Sequence, residues 1–173
     1  GNAKDLENMA AYGSVSGSSL DYQGISFRTA EGSFFKKGQS VVLDYMSLHF
    51  ANGGTLGLEG QLELGDSINM SFYGSEADMS ELQKLLPNVQ VSGLLDIKGT
   101  VVGPIANPIV RADYAAHDGS ILYQPFDRLH GRVAGSLRGM KIDDFVMEHG
   151  DQTKWLINNG MIGFLGDNGI NIR

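Results

Sequence analysis

The chain has 173 residues, no cysteine and a formal net charge of −7. Lacking cysteine, it has no disulfide framework, no thiolate zinc site and no thiol nucleophile. Its acidity argues against a phosphate-neutralising face for nucleic acid and against a basic patch for anionic headgroups.

Apolar residues make up 42% and glycine numbers 24, about twice its usual share. That suits a folded chain of strands and tight turns rather than disorder. No apolar run reaches the ~18 residues of a membrane-spanning helix, and no signal-peptide pattern opens the chain. The start, "GNA", and the end, "GINIR", read as cut ends, so residues 1–173 are expected to be one segment excised from a longer repetitive protein.

In chain order, Ile25 and Phe27 first alternate with Ser26 and Arg28. The clearest strand is Thr55 to Leu64: Leu56, Leu58, Leu62 and Leu64 share one face, and Gly57, Glu59, Gln61 and Glu63 the other. Period two with few exceptions marks a sheet with one apolar and one polar face. "GDS" turns the chain, and Ile68, Met70 and Phe72 continue the apolar face on an antiparallel return.

Residues 75–87, "SEADMSELQKLLP", break the pattern and read as a short helix capped by Ser75 or Asp78 and ended by Pro87. Its stripe is Met79, Leu82, Leu85 and Leu86. Too short to stand alone, it is expected to dock on the apolar face or lie across an opening, as an edge or a plug near residues 78–86.

Alternation then resumes. Val89, Val91, Leu95, Ile97 and Val101 share a face, as do Val110, Ala112, Tyr114 and Ala116. Between them, Gly103-Pro104 and Asn107-Pro108 read as a strand exit and re-entry, since proline has no donor for a ladder. Val133 and Leu137 continue the pattern, and Phe145, Met147, Trp155 and Ile157 give a weaker one. Asn52-Gly53, Asp118-Gly119, Asn159-Gly160 and Asn168-Gly169 are expected to be turns. A faint repeat sets Gly17, Gly32 and Gly60 against Gly119, Gly131 and Gly160, a period near one hundred residues that suggests stacked β-units.

Little here points to catalysis or to a cofactor. His49, His117, His130 and His149 make no metal-binding spacing. The side chains of Asp143 and Asp144 are expected on opposite faces of a strand, unable to act jointly. "GGTLGLEG" lacks the Lys and Ser/Thr of a phosphate loop, and no G-x-S-x-G elbow exists. What remains is the apolar face, which must pack on a second sheet, close into a barrel or curl into a trough. The residues alone favour a closed core.

Residues 82–133 carry an ordered set of parts: a helix ending in "LLP", then "SGLLDIKGTVVGP", "NPIV" and "DGSILYQPFDRLHG", followed by "MKIDDFVMEHG". This order resembles the TamB family of bacterial envelope proteins, within the AsmA-like group. The resemblance implies an all-β fold, a long antiparallel sheet curled into an open apolar-lined groove (a β-taco). It implies a periplasmic bridge anchored in the inner membrane by a helix outside this segment, passing phospholipid between the membranes through contacts with its acyl chains.

The rest of the same chain would stack at both ends. A second implied role is assembly of outer-membrane β-barrels or autotransporters with a barrel partner of the TamA/BamA type, through exposed strand edges. The family motif supplies no catalytic residue. The groove lining is therefore the set of apolar positions read above from Leu56 to Tyr114.

Overall fold

The computed structural model describes residues 10–22, 24–81, 90–136, 139–165 and 169–172, with side chains of 152–155 and 162–172 left aside. The described residues form eleven strands: β1 Ala10–Tyr22, β2 Ile25–Lys37, β3 Ser40–Phe50, β4 Thr55–Glu63, β5 Ser67–Asp78, β6 Val91–Pro104, β7 Ile109–Ile121, β8 Gln124–Ser136, β9 Gly139–His149, β10 Gln152–Leu165 and β11 Gly169–Ile172. They make one antiparallel sheet in strict chain order, β1 to β11. Among the described residues, every substantial strand contact joins chain neighbours and no second sheet covers either face. The expected all-β, open, curled sheet is what the chain adopts, and the closed sandwich is not.

Curl comes from irregularities in the ladder. One extra residue on a strand bends it and increases its twist. Register shifts of this kind fall at Leu43/Met46, Gly74/Ala77, Ser92/Leu94 and His130/Arg132. Glu76, Asp118 and Asp144 sit in these bulges with φ near +50°, a region that Asp tolerates better than most residues. The Glu76 amide donates to Asp96 Oδ1 at 2.9 Å, holding one bulge in shape.

Accessible surface fits this architecture. At 18.6 kDa a compact monomer would expose ~8,200 Å². This chain exposes 11,017 Å².

Several local expectations need correction. Ser75 caps no helix: β5 runs on to Asp78, and the described helix is the single turn 79–81. Pairing of Gly74, Ala77 and Asp78 with Ile97, Leu95 and Leu94 outweighs the helical propensity of "SEAD". Asp78 still acts as a cap, its Oδ1 accepting the Ser80 amide at 2.8 Å. Leu82, Leu85, Leu86 and Val89 lie outside the described residues, as do Leu137 and Asn168.

Asn52-Gly53 is a turn, but Asp118-Gly119 lies inside β7 and Asn159-Gly160 inside β10. The hairpin after β7 turns instead on Leu122 and Tyr123, at φ +48° and +67°. The one-hundred-residue repeat falls on strands six apart. Gly17, Gly32 and Gly60 lie on β1, β2 and β4, and Gly119, Gly131 and Gly160 on β7, β8 and β10.

Two positive-φ residues in a two-residue hairpin define a type I′ turn, which prefers Asn-Gly. Leu122 and Tyr123 are 52% and 77% exposed, so little packing offsets their backbone strain. Replacing them together, Leu122→Asn with Tyr123→Gly, is expected to stabilise the fold by about 1–2 kcal/mol. Urea denaturation checks this, and an unchanged or lowered midpoint contradicts the turn assignment.

Candidate functional site

Register across the sheet assembles the apolar residues into rows. Leu58 pairs with Phe72, Phe72 with Gly99, Gly99 with Ala112, Ala112 with Val133 and Val133 with Ile142. A parallel row holds Met70, Val101 and Val110, and a third holds Leu56, Ile97 and Tyr114. Leu62 and Ile68 pair at the margin near the β4–β5 turn.

The expected lining residues from Leu56 to Tyr114 that lie in described strands therefore share one face. The exception is Leu64: β4 ends at Glu63, and Leu64 sits in the turn, 43% exposed. Its amide donates to the Gln39 carbonyl at 2.9 Å, one step beyond the last β3–β4 pair, Ser40–Glu63.

Two glycines on this face are covered by aromatic rings from the neighbouring strand. Phe72 lies over Gly99, where a Cβ would sit 2.7 Å from the ring, and Tyr114 lies over Gly131 in the same way. Each ring is directly opposite its glycine in the register. An aromatic ring over a cross-strand glycine covers the exposed backbone with apolar surface. The face is thus carried across Gly99 and Gly131, while Gly103, opposite Ile68, has open space around it.

Burial on this face is uneven. Leu95, Ala116, Leu129 and Met147 form a row in which each residue is 9% exposed or less. Phe126 joins it at 2%, and Met79, from the helical turn, packs on it at 7%. Val91, Ile97, Tyr114 and Phe145 pack around this cluster. By contrast, Leu56, Leu58, Leu62, Ile68, Met70, Phe72, Val101 and Val110 are all only half-buried. Among the described residues, no second layer lies over this apolar strip from β4 to β7.

Missing from the expected lining are Val41 and Leu43, then Met46 and Leu48, which β3 adds to the same face. Val41 pairs with Leu62, Leu43 with Gly60, Met46 with Leu58 and Leu48 with Leu56. A bulge between Leu43 and Met46 switches the apolar positions from odd to even numbers, so simple alternation does not find them.

The opposite face is polar and charged. Lys98, Asp113, Arg132 and Asp143 line up across β6 to β9. Arg132 pairs with Asp144, and Lys141 with Asp143 at 2.9 Å. Both aspartates therefore meet cations of the polar face, contrary to the expected opposite orientations, because the bulge at Asp144 breaks the alternation.

A depression of about 650 Å³ is lined by Ser71, Lys98, Arg111, Asp113 and Arg132 of this side and also by Phe72, Gly99, Ala112 and Val133 of the central row. It is a shallow dish between side chains of an ordinary cross-strand ladder. Its rim carries Lys98, Arg111, Asp113 and Arg132, whereas the opposite face is apolar along whole rows, so that face is the candidate site.

The histidines pair locally. His117 meets Asp118 at 2.9 Å, a hydrogen bond that raises its pKa, and His149 meets Asp127 at 3.2 Å. The Gly150 amide, with His149 beside it, holds the Asp127 carboxyl below its ordinary range. Among the described residues no three His, Asp or Glu side chains are placed to hold a metal ion.

No family model, curated protein or solved structure matches this chain.

Tyr114 reports on the dryness of the apolar face. Burial pushes its phenol up to about 12 from an ordinary 10.0. Because the folded-state value is the higher one, the stability from keeping this phenol neutral is fully present below about pH 10 and lost as pH rises through about 12. Tyrosinate absorbance should show a late step that Tyr114→Phe removes. If Tyr114 titrates near its ordinary value, the face is wet around it.

Proposed function

We propose that this segment carries phospholipid by its acyl chains along the apolar face, as part of a bridge across the periplasm between inner and outer membranes. The observation that carries the reading is the uncovered strip on β3 to β7 of a one-layer sheet. The ordered motifs of residues 82–133, which resemble the TamB family, point to the same role, to inner-membrane anchoring of the parent chain and to outer-membrane biogenesis.

Dimensions and energetics suit such a cargo. Eleven strands at ~4.8 Å spacing span about 48 Å across the sheet. One acyl chain reaches about half of a ~30 Å hydrocarbon core, roughly 15 Å. Exposing two chains of about sixteen carbons to water costs on the order of 25 kcal/mol, at ~0.8 kcal/mol per CH₂. A continuous apolar surface offsets most of that, and neither a catalytic group nor a cofactor is needed.

One further observation favours a second reading, assembly of outer-membrane barrels through strand edges. The edge strand β1 is 13 residues long, pairs with β2 without a register shift and carries one charge, Asp21. It has no proline, lysine or bulge of the kind that blunts natural edges. Its free side suits an added strand, from the rest of the parent chain or from a client or barrel partner.

Lipid extraction and native mass spectrometry of the purified protein test the main reading, with co-purifying phospholipid as the expected result. Leu58→Asp, which sets a carboxylate in the middle of the strip, should abolish that lipid while strand circular dichroism is retained. Lipid retained at wild-type level by a folded Leu58→Asp protein would contradict the proposal. Capping of β1 by an added strand should leave lipid binding intact and remove any client binding.

A further inference from the structure

Across the apolar rows from β4 to β9, the side chains are aliphatic, methionine or phenylalanine, with one exception. Among the described residues of these rows, Tyr114 alone carries a side-chain oxygen or nitrogen. It stands in the row Leu56–Gly74–Ile97–Tyr114–Gly131. The next row, two residues along each strand and so ~7 Å away, holds Ala112, Val133 and Ile142.

A glycine sets where the hydroxyl goes. With no Cβ on Gly131, the Tyr114 ring lies down across β8, and a Cβ there would sit 2.5 Å from Oη and 2.8 Å from Cζ. The same point is 3.2 Å from Phe145 Cα, so the hydroxyl reaches the boundary between β8 and β9. A tyrosine hydroxyl in apolar surroundings ordinarily finds a partner. Among the described residues none bonds to this one, and burial alone pushes the phenol up to about 12. The oxygen is not walled in, because no fully enclosed side-chain oxygen of the described residues lacks a partner. It is an unused donor within reach of a ligand on the apolar face.

The surroundings decide which acceptor fits. Among the described residues of these rows there is no lysine or arginine, so a phosphate or carboxylate would leave water there without a counter-charge. A neutral carbonyl loses little by leaving water if it gains one hydrogen bond. In a lipid whose chains lie on the apolar face, the neutral carbonyls are those of the ester links. We infer that the Tyr114 hydroxyl donates to an ester carbonyl of a bound diacyl lipid and so favours ester-linked over ether-linked chains. An ether-linked chain offers the same hydrocarbon and no carbonyl. The inference rests on the acyl-chain reading but can fail without it.

Vesicles of dipalmitoyl phosphatidylcholine and its dihexadecyl ether analogue in equal amounts supply both lipids at once. After incubation and removal of the vesicles, mass spectrometry reads the ratio of the two lipids on the protein. The wild-type protein should hold the ester form in roughly threefold to tenfold excess, the worth of one net hydrogen bond. Tyr114→Phe, which removes one oxygen and keeps the ring over Gly131, should bring the ratio to about one. In the infrared, the ester carbonyl stretch of bound lipid should lie lower with the wild-type protein than with Tyr114→Phe.

A ratio that is the same in both proteins, with lipid bound to each, overturns the role of Tyr114 and leaves the acyl-chain reading standing. Uptake of neither lipid by either protein, with strand circular dichroism intact, overturns both.

Discussion

Each strand of this protein bonds only to its neighbours in the chain, and that constraint shapes the rest. A sheet with one apolar face normally hides that face against a second layer. Among the described residues, the strict order β1 to β11 supplies none. The chain instead bends its strands at bulges, lays Phe72 and Tyr114 across opposing glycines, and folds Met79 back onto one row. These devices bury the row from Leu95 to Met147 and leave the strip from Leu56 to Val110 half-covered. Both the high accessible surface and the proposed role in carrying acyl chains follow from that incomplete cover.

The two faces divide the work. The polar face ties strands together through cross-strand ion pairs such as Arg132–Asp144 and Arg128–Glu148. These are exposed and individually worth little, but they keep that face wet and so keep the strands one-sided. The apolar face needs no placed reactive group. Its chemistry is continuity of hydrocarbon, which is why the local pairings of His117 and His149 read as surface stabilisation rather than as a site.

Much of this was legible in the alternation of residues. The strands from Leu56 to Phe72 and from Val91 to Ala116 follow period two, and the structure places their apolar positions on one face. What escaped was what period two cannot describe. In β3 a bulge shifts the apolar positions from Val41 and Leu43 to Met46 and Leu48, which blurs the pattern. The sequence of β1 is poor in large apolar side chains because both its faces are largely exposed. Leu122-Tyr123 forms a turn that residue preferences would not select, whereas Asp118-Gly119, a preferred turn pair, is spent on a bulge. The helical propensity of 75–78 yielded to pairing with β6. Whether the apolar face is closed or open depends on whether a second layer packs on it, a property of topology that no local pattern encodes.

The most direct test of the central claim reads both faces of one strand pair in the same experiment. Nitroxide labels placed singly at Val101 and Val110 report the apolar face, and labels at Thr100 and Arg111 report the polar face one residue away. On addition of diacyl phospholipid, the labels at 101 and 110 should lose mobility while those at 100 and 111 keep theirs. Equal immobilisation on both faces, or none on either, would contradict an apolar face that carries lipid.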